Sequence, residues 1–273
     1  MTRLRFVCTL ILVSGVALAA PAPARAQDDD ATALKLAEPD FTLIALPTSL
    51  RVPKFKSAFR VTHRFGRPLN GDFGDVAGDL FGLDSGAQIG LEYRFGILPN
   101  GQIGVHRTSS GKTVEFFAEY RVLPQSRSIV DVSVLGSIEG TNNFKDSYSP
   151  ALGAILSRTF GDVAAVYAEP IWVNNTNGLP KALVDHNDTF FVGIGARVRV
   201  RPTVYVVAEV APRAAGDKPS RTYGSFGFEK RAGGHVFQLN FSNGRGTTMA
   251  QIARGGTGEN NWFLGFNISR KFY

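Results

Sequence analysis

The sequence has almost no cysteine, no apolar run of membrane-helix length, and only 19% charged residues among its 273. Its single cysteine, Cys8, lies close to the amino terminus, inside a segment read below as an export signal. The remainder therefore has neither a disulfide framework nor thiol chemistry. The longest apolar stretch, residues 7–20, is too short to cross a bilayer as a helix, which takes about 20 residues. Nothing later approaches that length, which excludes a helical membrane protein. The four histidines, His63, His106, His186 and His235, are scattered without the spacing of a metal site. The glycine-rich pieces GRPLNGD and GRGTTMA lack the Gly-Lys-Ser/Thr ending of a phosphate loop. No cofactor is expected.

Basic character is also scarcer than it looks. The chain holds 30 Lys and Arg against 23 Asp and Glu, but Arg3, Arg5 and Arg25 fall in the first 26 residues, leaving 27 basic residues after them. That small excess, with no basic helical stripe, gives no reason to expect nucleic acid.

What is present begins with a secretory signal over residues 1–26: a basic start, an apolar stretch and the small-residue site Ala24-Arg25-Ala26. Cleavage is expected after Ala26. After it the side chains alternate. Ala87, Ile89, Leu91, Tyr93, Phe95 and Ile97 share one face, and Gln88, Gly90, Glu92, Arg94 and Gly96 the other. Residues 190–201 repeat the pattern, with Arg197, Arg199 and Arg201 on the polar face. Less regular runs cover 55–65, 101–107, 113–123, 128–139, 151–160, 163–173, 203–212, 222–231, 236–242 and 262–272. Runs 151–160 and 222–231 do not fix their own phase. The total is about twelve strands of roughly membrane-crossing length, an even number as in single-chain bacterial barrels.

The connections give an independent check. Links at 98–100, 123–127, 161–162, 201–202 and 231–234 are tight. Links at 67–84, 140–149, 174–188, 213–221 and 243–261 are longer, with 108–112 the short exception. Short periplasmic turns alternating with longer external loops are the asymmetry of outer-membrane barrels, and this places both termini in the periplasm. The fold expected is all-β, a transmembrane up-and-down antiparallel barrel over residues 54–273 in the bacterial outer membrane. Tyr93, Phe95, Phe116, Tyr120, Trp172, Phe190, Trp262 and Phe266 read as its aromatic girdles and lipid-facing surface. The alternating end of the chain, closing on Phe272 and Tyr273, resembles the signal read by the barrel-assembly machinery.

Four motifs, FRVTHRFG at 59–66, LFGLDS at 80–85, GLEYRF at 90–95 and FLGFNISRKF at 263–272, resemble a family of bacterial outer-membrane-type β-barrel proteins of unknown function. The resemblance covers nearly all of the chain after the signal. It implies a barrel and no established activity, so no catalytic residue is carried over.

Alternation directs Lys56, Arg60, Arg64, Arg94, Arg121, Arg197, Arg199, Arg201 and Arg213 inward, with Glu92, Glu115, Glu119, Asp131, Glu139, Glu169 and Glu209. Unpaired charges in a narrow interior are expensive, so one reading is a ladder of ion pairs that closes the bore. The other is a solute pathway lined by Glu92, Arg94, Glu115, Glu119, Arg121, Arg197, Arg199, Arg201 and Glu209. The first long loop carries Asp72, Asp75, Asp79 and Asp84 with Phe73 and Phe81, and is expected to form a lid without a metal, since the acids lack EF-hand spacing. Residues 27–53 are expected as a periplasmic lead-in that either reaches a partner or tucks into the barrel floor.

The function expected is a narrow channel or facilitator for small polar solutes, working as a monomer in contact with outer-membrane lipid. The alternative is a non-conducting barrel that acts as scaffold or sleeve for a periplasmic or surface partner. A third reading, an enzyme on the barrel acting on lipid, would rest on His63. That residue shares the lipid-facing phase of Phe59, Val61 and Phe65, but no outward serine stands beside it in the pattern.

Overall fold

The alternating runs become strands of one antiparallel sheet in a computed structural model that describes residues 36–78, 86–177, 187–218, 220–257 and 261–273. The expected export signal lies outside the described residues. The strands are β1 Ser57–Pro68, β2 Ala87–Leu98, β3 Gly101–Thr108, β4 Val114–Leu123, β5 Asp131–Gly140, β6 Asp146–Phe160 and β7 Ala164–Val173. They continue as β8 Thr189–Arg201, β9 Val204–Ala211, β10 Arg213–Gly216, β11 Tyr223–Ala232, β12 His235–Ser242 and β13 Phe263–Lys271. β1 to β9 pair in sequence order, β9 pairs on to β11, β11 to β13 pair in order, and β1 pairs with β13 through Val61↔Ile268, so the sheet closes on itself. Closure leaves no row of unpaired backbone groups facing lipid.

Twelve strands close the barrel and β10 is the extra one, a continuation of β9 past Pro212. Proline donates no ladder hydrogen bond, so the strand breaks there. It resumes against β8 with a register shift between Arg213↔Phe191 and Ala215↔Phe190. The two runs of undecided phase are settled by tertiary packing. Ser149, Ala151, Ile155 and Ser157 of β6 and Tyr223, Ser225 and Glu229 of β11 point into the lumen.

The outer surface is apolar, with Leu91, Tyr93, Phe116, Leu152, Val198, Phe228 and Leu239 all exposed. No described helix is long and apolar enough to cross a membrane. One rim carries the tight turns and the other the longer loops, although extension of β6 to Asp146 shortens the expected 140–149 link.

The core lies inside the barrel. All five lumen-facing residues of β13, Phe263, Gly265, Asn267, Ser269 and Lys271, are buried, as are those of β8 from Thr189 to Arg197. A water-filled bore would leave them exposed. The filling comes from the chain itself. Residues 36–53, expected as a periplasmic lead-in, run inside the barrel as a hairpin in which Thr42 bridges Pro47 and the Thr48 amide donates to the Phe41 carbonyl. The physical reason is that Phe41, Leu43, Ile44, Leu46 and Val52 find apolar wall there. Tyr167, Ile171, Phe191 and Val207 turn inward on β7, β8 and β9. Each such side chain taken fully out of water contributes about 1.5–3 kcal/mol.

Candidate functional site

The hairpin enters and leaves at the turn rim. The Tyr205 hydroxyl donates to the Leu36 carbonyl near the start of β9. At the other end the Val52 amide donates to Gln102 Oε1 at 2.9 Å, near the start of β3. Between these points the chain reaches the middle of the lumen and turns back. At its tip the consecutive amides of Ile44, Ala45 and Leu46 donate to the Glu209 carboxylate at 3.0, 2.9 and 3.1 Å. Three neighbouring N–H groups converging in this way form an anion-binding nest. Ser225 Oγ donates to the same carboxylate at 2.8 Å.

The tip carbonyls are met by donors on β8, the strand next to that of Glu209, and on β12 and β13. Arg197 Nη2 donates to Thr42 O at 2.6 Å, Gln238 Nε2 to Leu43 O at 2.6 Å and Asn267 Nδ2 to Ile44 O at 3.0 Å. The wall therefore recognises the main chain of the tip and packs against its apolar side chains. Arg197 is itself fixed by both oxygens of Glu229, at 2.7 and 2.8 Å, with both side chains fully buried.

A second network ties the lower hairpin to the wall. Arg60 Nη2 meets Glu92 at 2.6 Å, Arg94 bonds Glu92 and reaches Glu119 at 3.1 Å, and Arg51 of the hairpin completes Glu119 at 2.8 Å. Arg121 stands 2.9 Å from Asp131 and donates to Ser49 O at 2.7 Å. A buried ion pair is worth having only when its remaining valences are filled, and here the hairpin fills several of them.

From the loop rim a short helix, Met249–Arg254, closes the other end, with Ala250, Ile252 and Ala253 fully buried. Its amino end is capped by Thr248, and the Met249 amide donates to Glu115 at 3.2 Å. Arg254 stands 3.6 Å from Glu139. Between helix and hairpin tip lies a cavity of about 20 Å³, lined in part by Thr42, Ala45, Glu92, His106, Glu115 and Met249. It has room for about one water molecule.

The sequence-predicted lining is thus mostly inside but does not border an open path. Glu92, Arg94, Glu119 and Arg121 form the network around Arg51 and Ser49, Glu115 faces the helix, and Arg197 and Glu209 grip the hairpin tip. Arg199 is half-buried and Arg201 is exposed at the turn rim. Of the acidic loop expected as a lid, Asp72 and Asp75 are exposed beside the helical turn Phe73–Gly78, whose Val76 is buried. Asp79, Phe81 and Asp84 lie outside the described residues. The described element that does cover the mouth is Met249–Arg254. His63 stacks on Phe266 at 4.7 Å and meets Phe65 edge-on at 4.5 Å.

Glu229, Gln238, Asn267 and Arg51 escaped the sequence reading. Glu229 sits on the strand of ambiguous phase, and the two amides carry no charge to draw attention. The cue for all four was a set of inward polar residues opposite a buried hairpin.

A comparison with curated proteins gives no match. Among solved structures the chain is similar to the outer membrane protein Omp33 of Acinetobacter baumannii, at 10% identity over 81% of this chain and 100% of that one, with a TM-score of 0.46. It is also similar to a variant porin of Rhodopseudomonas blastica, at 13% identity over 68% of this chain, with a TM-score of 0.36. It spans 55% of the length of that porin. Over residues 40–272, from the hairpin to the last strand, the sequence fits a single family description, and the chain belongs to that family, the membrane bound beta barrel domain DUF5777.

Proposed function

We propose that this outer-membrane barrel is a facilitator for small polar solutes that is closed at rest by its own amino-terminal hairpin and opens when the hairpin withdraws. One observation carries the reading: both ends of segment 36–53 lie at the turn rim. The segment can leave as a unit without threading the barrel or breaking a single strand pairing. Its departure uncovers a wall with charges of both signs, Arg60, Arg64, Arg94 and Arg197 beside Glu92, Glu119, Glu169 and Glu209. Rings of charge of this kind set selectivity for polar solutes.

The test is conductance in planar bilayers of the intact protein and of Glu209→Ala, which removes the acceptor of three tip amides. The expected result is silence or rare opening for the native protein and frequent discrete steps for the variant. A variant that folds, frees its hairpin amides to exchange and stays silent refutes the proposal. The second reading, a non-conducting sleeve, draws support from the helix Met249–Arg254, which closes the loop rim independently of the hairpin.

A further inference from the structure

Glu169 on β7 is fully buried, and neither of its carboxylate oxygens has a hydrogen-bond partner among the described residues. A carboxyl left with neither donor nor counter-charge is among the costliest groups to place in a dry interior. An amide or an aliphatic side chain would fill the same space more cheaply, so the resting structure supplies no reason for an acid here.

Its surroundings supply one. Glu169 pairs across the ladder with Gly193 of β8, and two residues further along β8 Gly195 pairs with Glu209 of β9. The two glycines form a floor between the two acids. A methyl group added at Gly193 would stand 2.9 Å from Leu46 Cδ1 and 3.2 Å from Glu169 Cβ, and one at Gly195 would overlap Leu43 Cδ1. The hollow therefore takes two branched alkyl side chains on its floor, while Glu209 receives three partly positive N–H groups from the same tip. One acid of the pair is satisfied and the other is left over.

Resting on the gated reading above, we infer that this hollow binds an ammonium group on an apolar body once the hairpin withdraws. The hairpin tip is the resident stand-in for that ligand. Its amides take the place of the cation at Glu209, and Leu43 and Leu46 take the place of the alkyl body over Gly193 and Gly195. Glu169 provides the second contact, made only by the true ligand. Arg60 and Arg64 each donate to the Ile44 carbonyl of the tip at 3.4 Å, and withdrawal would free those donors for a carboxylate on the same solute, so amphiphilic amines and zwitterions with an alkyl body form the favoured class.

The probes are hexylammonium and hexanoate, of equal chain length and opposite charge, applied to the full chain in vesicles. Hydrogen exchange at Ile44, Ala45 and Leu46 reads displacement of the tip. Hexylammonium at millimolar concentration is expected to speed exchange at least tenfold and hexanoate to leave it unchanged, and Glu169→Gln is expected to abolish the response. Equal effects of the two probes, no effect of either, or an unaltered response in Glu169→Gln overturns the inference.

Conductance of Leu43→Asp, which sets a carboxylate beside Glu209 and expels the tip, separates this outcome from the gating proposal. If that variant conducts but shows no amine-dependent block, the inference falls and the gate stands. If its tip amides exchange freely and it is silent, the gate falls, while the probe experiment on the native chain still decides the hollow.

Discussion

Two pieces of chain enter the barrel from opposite ends, and they are held unequally. The hairpin at residues 36–53 is gripped at its tip by Glu209, Arg197, Gln238 and Asn267, all buried, with short contacts to both amides and carbonyls. The helix Met249–Arg254 has a Met249 amide contact to Glu115 at 3.2 Å and a Thr248 cap at 3.4 Å, and is otherwise held by groups partly open to water. Arg254 Nε donates to Thr176 O at 2.8 Å, Arg213 Nη1 and Ser220 Oγ donate to Arg254 O, Gln88 Nε2 donates to Gln251 Oε1 at 3.0 Å, and the 3.6 Å ion pair to Glu139 has an arginine that is 33% exposed. Charge-assisted hydrogen bonds to buried groups are worth about 1.5–3 kcal/mol each, whereas partly exposed ion pairs at that distance are worth under about 1 kcal/mol. The difference assigns separate roles. On the gated reading proposed above, the helix is the cheaper door to move and the hairpin is the gate.

This ranking can be broken or sharpened by substitution, beginning with the largest effect. Arg197→Met removes the counter-charge of Glu229 as well as the donor to Thr42 O, leaving a buried carboxylate held by the neutral Gln238 amide. It is expected to cost about 3–5 kcal/mol in urea unfolding from vesicles, and to loosen hairpin and wall together. Glu209→Ala orphans three tip amides while leaving the strand ladder intact. It is expected to cost about 3 kcal/mol, seen chiefly as faster exchange at residues 44–46 with the helix unaffected.

Smaller effects belong to the helix. Glu115→Ala is expected to cost about 1–2 kcal/mol, with faster exchange at Met249 and none at residues 44–46. Thr248→Ala, which removes only the cap, should cost about 1 kcal/mol, confined to residues 249–252. If the Glu115 and Glu209 variants each released both inserts, the two would form one cooperative plug and the distinction between door and gate would be lost.

The barrel was legible because a period of two is written into nearly every strand, and the closure β1 to β13 follows from having no edge to spare. The inward direction of Arg60, Glu92, Arg94, Glu119, Arg197 and Glu209 came from the same alternation. The helix was not legible, and the hairpin only as one of two alternatives, a lead-in that tucks into the barrel floor, for different reasons. Residues 41–46 are apolar without alternation, and the contacts that hold them use backbone amides and carbonyls, which every sequence has. The helix is six residues long, under two turns, and begins inside the glycine-containing piece GRGTTMA, so no helical period can show. Burial of Asp40 against Ser269 Oγ, at 2.7 Å, and of Lys271 over the Phe41 ring likewise depends on the hairpin being present. Pattern identifies the wall, and only packing identifies what fills it.

The scarcity of cysteine makes a direct test simple, since Cys8 is the single thiol in the sequence and falls within the expected export signal. A thiol placed at Ala45, 2% exposed at the hairpin tip, and another at Phe55, 68% exposed at the turn rim, can be compared for reaction with a water-soluble maleimide in intact vesicles open to the reagent on that side. Complete labelling of Phe55→Cys is expected while Ala45→Cys reacts at least a hundredfold more slowly. Equal labelling rates at the two positions would contradict this expectation, because the segment would then lie in water and the lumen would need another explanation for its closure.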